Sequence, residues 1–270
     1  MLNHKVLLEI CAGSLSDVIA ASSVKETDRI ELNCALELGG LTPSLQTLVR
    51  AKQKTDIPLI CMVRPRPAGF IYNNDEKETM YADAETFLQN GADGIVFGCL
   101  KEDHTVDEEF TVRMVQLIHS YGKEAVFHKA FDDAKDPDAA IQALIRCRVD
   151  RILTSGLQPD VLQGKNMIAY LQKTYGKEIQ ILPGGGVTKE NIRIIFADTG
   201  CTQIHMTAKT ARQNDGSYYA VDAAKINAIV RHMQDTAESR ILTREDRDML
   251  KQEQYEQSLY VFQEDDERRN

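Results

Sequence analysis

The sequence predicts an α/β chain folded as a (β/α)8 TIM-like barrel with a C-terminal helical extension, and three observations carry that expectation. Eight short strand-like runs begin near residues 6, 29, 58, 94, 124, 151, 179 and 203. Each is followed by a helical pattern, and alternation of this kind implies parallel strands joined by crossover helices. Eight such units in 270 residues suit a closed barrel better than an open doubly wound sheet.

The strands are read from their alternation, since every second residue shares a face. In VLLEICA (6–12), Val6, Leu8 and Ile10 oppose Glu9 and Cys11; in RIELNCA (29–35), Ile30, Leu32 and Cys34 oppose Glu31 and Asn33. In PLICMVRPR (58–66), Val63 opposes Arg64 and Arg66; in EAVFHKAF (124–131), Phe127 opposes Val126, His128 and Ala130. RILTSG (151–156) and QIHMTA (203–208) add Thr154 and His205. Ionisable side chains are costly to bury unless they meet one another or a ligand. Barrel sites are built at the carboxyl ends of the strands, so Glu9, Glu31, Arg64, Arg66, His128, Thr154 and His205 are expected around one mouth.

The helices announce themselves by caps and stripes. Thr42 before Pro43 and Asp136 before Pro137 each place an N-cap ahead of a proline suited to the first turn. Leu45, Leu48 and Val49 form one apolar stripe, Phe110, Met114, Leu117 and Ile118 a second, and Ile192, Ile195 and Phe196 a third. The longest loop, Pro67 to Lys77, carries Gly69, Phe70, Tyr72 and the turn formers Asn73, Asn74 and Asp75. It reads equally as a lid over the mouth or as a surface excursion. The barrel is assigned to 1–235. The charged extension, 236–270, has apolar residues such as Ile241, Leu242, Met249, Leu250 and Tyr255 that call for a helix against the barrel or a second subunit. Its last residues, EDDERRN, are expected to be disordered.

Composition narrows the function. A 43% hydrophobic chain of this length buries a large core, and no apolar run reaches the 18 or so residues that span a bilayer. The amino terminus lacks the long apolar region of a signal peptide, which gives a cytoplasmic expectation. A formal charge of −9 argues against nucleic acid as a partner, though not against a local cationic pocket. The six cysteines, 11, 34, 61, 99, 147 and 201, lack CxxC spacing and read by default as small buried hydrophobes.

The chemistry of the mouth follows from which groups meet. Glu9 and Glu31 lie on adjacent strands, about 4.8 Å apart in the pairing direction, so one holds a proton or a cation neutralises them. Arg64 is the internal cation expected to bridge them, either as a satisfied ion-pair network or as part of an acid–base or metal site. Asp132 follows His128 closely enough to orient its ring, while Lys129, of opposite parity, is expected to point outward to solvent. Pro183, Gly184, Gly185 and Gly186 end the seventh strand, with Thr188 set to cap the next helix. Thr207 and Lys209, at the exit of the eighth strand, complete a candidate anion cradle. Ser155 and Gly156 add donors beside Thr154. Arg66 joins Arg64 as an anion clamp.

Taken together, EIC, RIEL, GGLTPS (39–44), RPR (64–66), FHKAFD (127–132), RILTSG and GGGV (184–187) resemble the CutC family of copper-homeostasis proteins over about 8–209. The resemblance implies a TIM-like barrel, a cytosolic homodimer or higher homo-oligomer, and a role in copper binding, with Cu(I) as its metal. The family's RIELC reads here with Asn33, and the cysteine moves one place to Cys34, which reverses its face. Cys11 remains the inward-facing soft ligand, with Met62 as a helper, and Cys34 the weaker one. HMTA at 205–208 and Lys129 also depart from the family's pattern. Three functions fit the sequence: copper binding, an enzyme acting on a small anionic substrate, phosphorylated or not, and a metabolite sensor.

Overall fold

The computed structural model describes residues 6–214 and 216–238. Eight parallel strands form the barrel wall: β1 (Leu7–Ala12), β2 (Thr27–Leu32), β3 (Leu59–Met62), β4 (Gly94–Phe97), β5 (Glu124–Phe127), β6 (Arg151–Thr154), β7 (Gln180–Pro183) and β8 (Gln203–Met206). Each pairs with its sequence neighbour, and β8 pairs with β1. The seam between β7 and β8 is closed by a parallel bridge from Gly184 to His205. The expected (β/α)8 fold is therefore observed, with strand starts within two residues of those read from the sequence.

The crossover helices are α1 (Leu15–Ser22), α2 (Leu45–Lys52), α3 (Asn74–Gln89), α4 (Glu108–Ser120), α5 (Pro137–Arg146), α6 (Lys165–Tyr175), α7 (Ile192–Thr199) and α8 (Ala223–Glu238). Their caps are mostly local side chains. Asp136 accepts from the amides of Asp138 and Ala139 at the start of α5, with Pro137 in its first turn. Asp136→Ala is expected to cost about 1 kcal/mol, the usual value of such a cap, measured as a shift of the urea midpoint. Two expected caps are corrected. Ser44, not Thr42, caps α2, because the Thr42 hydroxyl donates instead to the carbonyl of Arg64. Thr188 sits in a turn ahead of α7, which begins only at Ile192, and exchanges hydrogen bonds with Asn191.

Strand register decides what faces inward. Glu9 pairs with Arg29 and His205, Cys11 with Glu31, Glu31 with Ile60, and Met62 with Val96. Val126 pairs with Arg151, and Arg151 with Gln180. One side of the barrel interior is apolar, with Ile60, Met62, Val96 and Val126 packed together. The other side is polar. On the outer face Ile10, Ile30, Leu32 and Phe127 are fully buried beneath the helices.

An unforeseen hairpin, β9 (Lys209–Gln213) and β10 (Ser217–Val221), separates β8 from α8. It is tied down where the Val221 amide donates to Asp17 of α1, 2.7 Å away. No helix among the described residues is long and apolar enough to cross a membrane. The barrel lies within the compact unit Leu2–Arg231. The expected packing of Ile241, Leu242, Met249, Leu250 and Tyr255 falls outside the described residues.

Candidate functional site

At the floor of the barrel the Arg29 guanidinium pairs with Glu9 and donates to Gln203 at 3.0 Å. Gln203 contacts Gln180, which accepts from Arg151, and Arg151 pairs with Glu124. This chain of partners, buried at Glu9, Arg29, Gln203 and Arg151, corrects the expectation that Arg64 neutralises the two glutamates: the cation beneath Glu9 is Arg29. Arg29 opens the run read as the second strand, but it lies at the amino end, where barrel sites are not looked for.

Above this floor, Glu9 presents its second oxygen to His205 Nδ1 at 2.7 Å. Burial pushes the Glu9 carboxyl upward, but the hydrogen bond to His205 and the Arg29 charge win, and it is held well below the usual carboxylate range. His205 is raised well above its ordinary value: burial opposes its charge, while Glu31, Cys11 and Glu9 hold its proton. Glu31 is pushed up by burial, with the Glu9 charge adding to the effect. Asn33 donates to Glu31 at 2.8 Å and to Cys11 Sγ at 3.4 Å. Burial, aided by the Glu31 charge, also raises the Cys11 thiol. Donor atoms of Cys11, Glu31 and His205 lie within 4.8 Å of one another.

Cys11, Glu31, Asn33 and His205, with Glu9 behind them, line a cavity of about 120 Å³ that also meets Met62, Arg64, Phe70, His128 and Lys129. It adjoins an outer vestibule of about 420 Å³, and Gly39, Arg64, Phe70 and Lys129 border both. Phe70, from the long loop after β3, packs tilted against the His128 ring at 4.8 Å and lies 5.0 Å from the Arg64 guanidinium. The loop thus supplies a wall of the mouth. A cleft of similar size, about 440 Å³, lies beside the His119–Asp150 pair near the start of β7, away from the carboxyl ends where barrel sites are built.

Several candidates are placed differently from their expectation. Arg64 donates through Nη1 to the carbonyls of Leu38 and Gly40, both at 3.1 Å. Arg66 leaves the mouth to brace its own loop, pairing with Glu76 and reaching the carbonyls of Ala68 and Ile71. Asp132 does not orient His128. It accepts from the Thr154 hydroxyl at 2.5 Å, from the Ser155 amide and hydroxyl, and from the Leu157 amide. His128 instead accepts through Nδ1 from the Ala130 amide at 3.1 Å.

Thr154 pairs in register with Pro183, opposite in parity to the inward Arg151 and Leu153, so it lies outside the mouth. Gly156, with φ +72°, abuts Gly164 so closely that a Cβ would fall 2.2 Å from its carbonyl oxygen. Gly184 forms the seam, Gly185 lies against Ser155, and Gly186 accepts from Asn191. None of the three glycines lines the cavity. Lys209 extends from the hairpin over the Tyr219 ring, and Thr207 precedes it, half-buried. Cys34 turns away and donates to the Thr42 carbonyl at 3.1 Å.

Lys129 was missed for a structural reason. Strand β5 stops at Phe127, and a 3-10 helix over Lys129–Asp133 follows, which cancels the alternation. Lys129 therefore borders the cavity, 3.8 Å from Asp132. Three buried polar atoms without a hydrogen-bond partner belong to residues that line this cavity: Asn33 Oδ1, Arg64 Nε and His128 Nε2.

Comparison with known proteins agrees with the barrel fold. The CutC family model matches residues 6–210. A CutC family protein of Treponema denticola is 44% identical over 208 residues, covering 77% of this chain and 83% of that protein. The human copper homeostasis protein cutC homolog is 36% identical, covering 77% of this chain and 75% of its own length. A CutC structure from Streptococcus agalactiae superposes with a TM-score of 0.69 at 31% identity, over 74% of this chain and 97% of that one. Phosphoribosylanthranilate isomerase of Thermotoga maritima, 11% identical with a TM-score of 0.53, shares the fold alone. By the family match across most of its length and by these relatives, the chain belongs to the CutC family.

Proposed function

We propose that this protein serves copper homeostasis by binding Cu(I) in the barrel mouth through Cys11 and His205, with Glu31 as an oxygen neighbour. The observation that carries the reading is the convergence of these three donors within 4.8 Å. The donor set fits the ion, because Cu(I) favours soft thiolate and also accepts imidazole. Glu9 on Nδ1 of His205 fixes the ring and leaves Nε2 for the metal, the carboxylate–histidine arrangement common at metal sites. Asn33 supports the sulfur from behind, and Met62 borders the same cavity with a thioether.

An anaerobic titration of the chain with Cu(I) against a chelator of known affinity tests this. Stoichiometric binding is expected, weakened at least tenfold in Cys11→Ser and little changed in Cys34→Ser. Since the thiol must lose its proton to bind, affinity should rise with pH. Binding indifferent to Cys11 would sink the assignment.

A second reading, acid–base chemistry on a small anion, is supported by the two inward glutamates. Glu9 is held ionised while Glu31 is pushed towards its neutral form, and such separated pairs mark acid and base assignments. Arg64 and Lys129 give the same cavity its positive charge.

A further inference from the structure

The geometry points to the inner chamber as a binding site for a small organic monocarboxylate, held by the Nε–H of Arg64 and the Nε2–H of His128. Its carbon chain would lie against Met62, Phe70 and Leu153. The inference deepens the acid–base reading by naming its ligand class and rests on that reading for the ligand's negative charge; it does not depend on copper.

Both donors are buried, Arg64 to 7% and His128 to 3% exposure, and neither nitrogen has a partner. The identity of the His128 donor follows from contact: Nδ1 accepts the Ala130 amide, so in the neutral ring the proton must reside on Nε2. Leaving a buried N–H unsatisfied costs about 1–3 kcal/mol, and here the two residues that carry such groups line one cavity. Each is also fixed in place. Arg64 spends Nη1 on the carbonyls of Leu38 and Gly40, His128 is pinned by its backbone contact, and Phe70 packs on both.

Two N–H donors call for an oxygen acceptor and cannot be answered by a cation. Charge selects the kind of acceptor, because Arg64 pairs with no carboxylate among the described residues and Lys129 stands at the junction of the two chambers. Size and wall chemistry select further. A cavity of about 120 Å³ holds the volume of roughly four water molecules at ~30 Å³ each, which suits a two- or three-carbon acid. A sugar phosphate exceeds it, and the Gly184–Gly186 backbone that would cradle phosphate does not line the chamber.

The test is calorimetric titration of the metal-free full chain with acetate, glycolate and pyruvate. Saturable binding of at least one is expected, weakened at least tenfold in His128→Asn, whose side-chain oxygen can still accept the Ala130 amide, and in Arg64→Lys. In the wild-type chain the ring ¹⁵N signals of His128 should report the Nε2–H tautomer, and Nε2 should shift on saturation. This readout serves even where a variant fails to fold. No saturable binding of any probe, undiminished affinity in folded His128→Asn, or an unmoved Nε2 signal overturns the proposal. Pyruvate that binds by these criteria without exchanging its methyl protons in D2O upholds the chamber and removes the catalytic reading.

Discussion

Arg29→Ala should destabilise the chain by about 3–5 kcal/mol, the range found when a buried ion pair loses one member. Arg29, 8% exposed, touches Glu9 and Gln203 together through its guanidinium, so its removal strands a buried carboxylate and an amide at once. His205 remains beside Glu9 and softens the loss without replacing the floor contact. Urea unfolding followed by circular dichroism measures the effect. Adding Glu9→Gln to Arg29→Ala should recover part of the stability, because no unpaired charge is then left. A loss below about 1 kcal/mol, the scale of an exposed pair, would mean that water reaches the barrel floor.

Acid should unfold the protein over a window set largely by His128. Burial, and secondly the Arg64 charge, push its pKa from 6.5 down to about 3. Arg64, Lys129, Glu31, Cys11 and His205 are the charged or titratable groups sharing its cavity. Between these two values the unfolded chain takes up a proton that the folded chain refuses. The contribution is therefore present above pH 6.5 and is lost as the pH falls towards 3, on the order of 5 kcal/mol in all. Glu9, lowered in the fold, adds a loss below its ordinary value of 4.5. His205 acts in the opposite direction: raised in the fold, it contributes fully below 6.5 and less as the pH rises through its folded value. Stability measured from pH 4 to 8 should fall on the acid side in the wild type and more gently in His128→Asn. Parallel curves would show that His128 is not the group refusing the proton.

Strand alternation made the fold legible, and with it the inward placement of Glu9, Cys11, Glu31, Arg64, His128 and His205. What stayed hidden was local. Alternation says which side Arg64 is on, but not that the carbonyls of Leu38 and Gly40 claim it before the glutamates can. The proximity of Asp132 to His128 in sequence suggested a contact, yet the 3-10 turn carries Asp132 to the β6 loop and brings Lys129 to the mouth. The Thr42–Pro43 pair gave a plausible helix start, while Thr42 was needed by the Arg64 backbone. Arg29 was visible in the sequence but fell at the end of a strand to which site reasoning assigns no chemistry. The β9–β10 hairpin is short and exposed over most of its length, so it left little hydrophobic pattern to read.

The pairing of Glu9 with His205 spans 196 positions of the chain, and its two strands meet only where β8 joins β1. During synthesis the first strand emerges from the ribosome long before its partner, and contacts of such separation form late because loop closure must come first. A nascent chain that ends before β8 therefore has Cys11 and Glu31 but no His205 beside them, and its Glu9 lacks one of its two neighbours. For the proposed Cu(I) site, affinity would thus arise only with the last strand of the barrel, making it a signal that the chain has been made to that point and has closed.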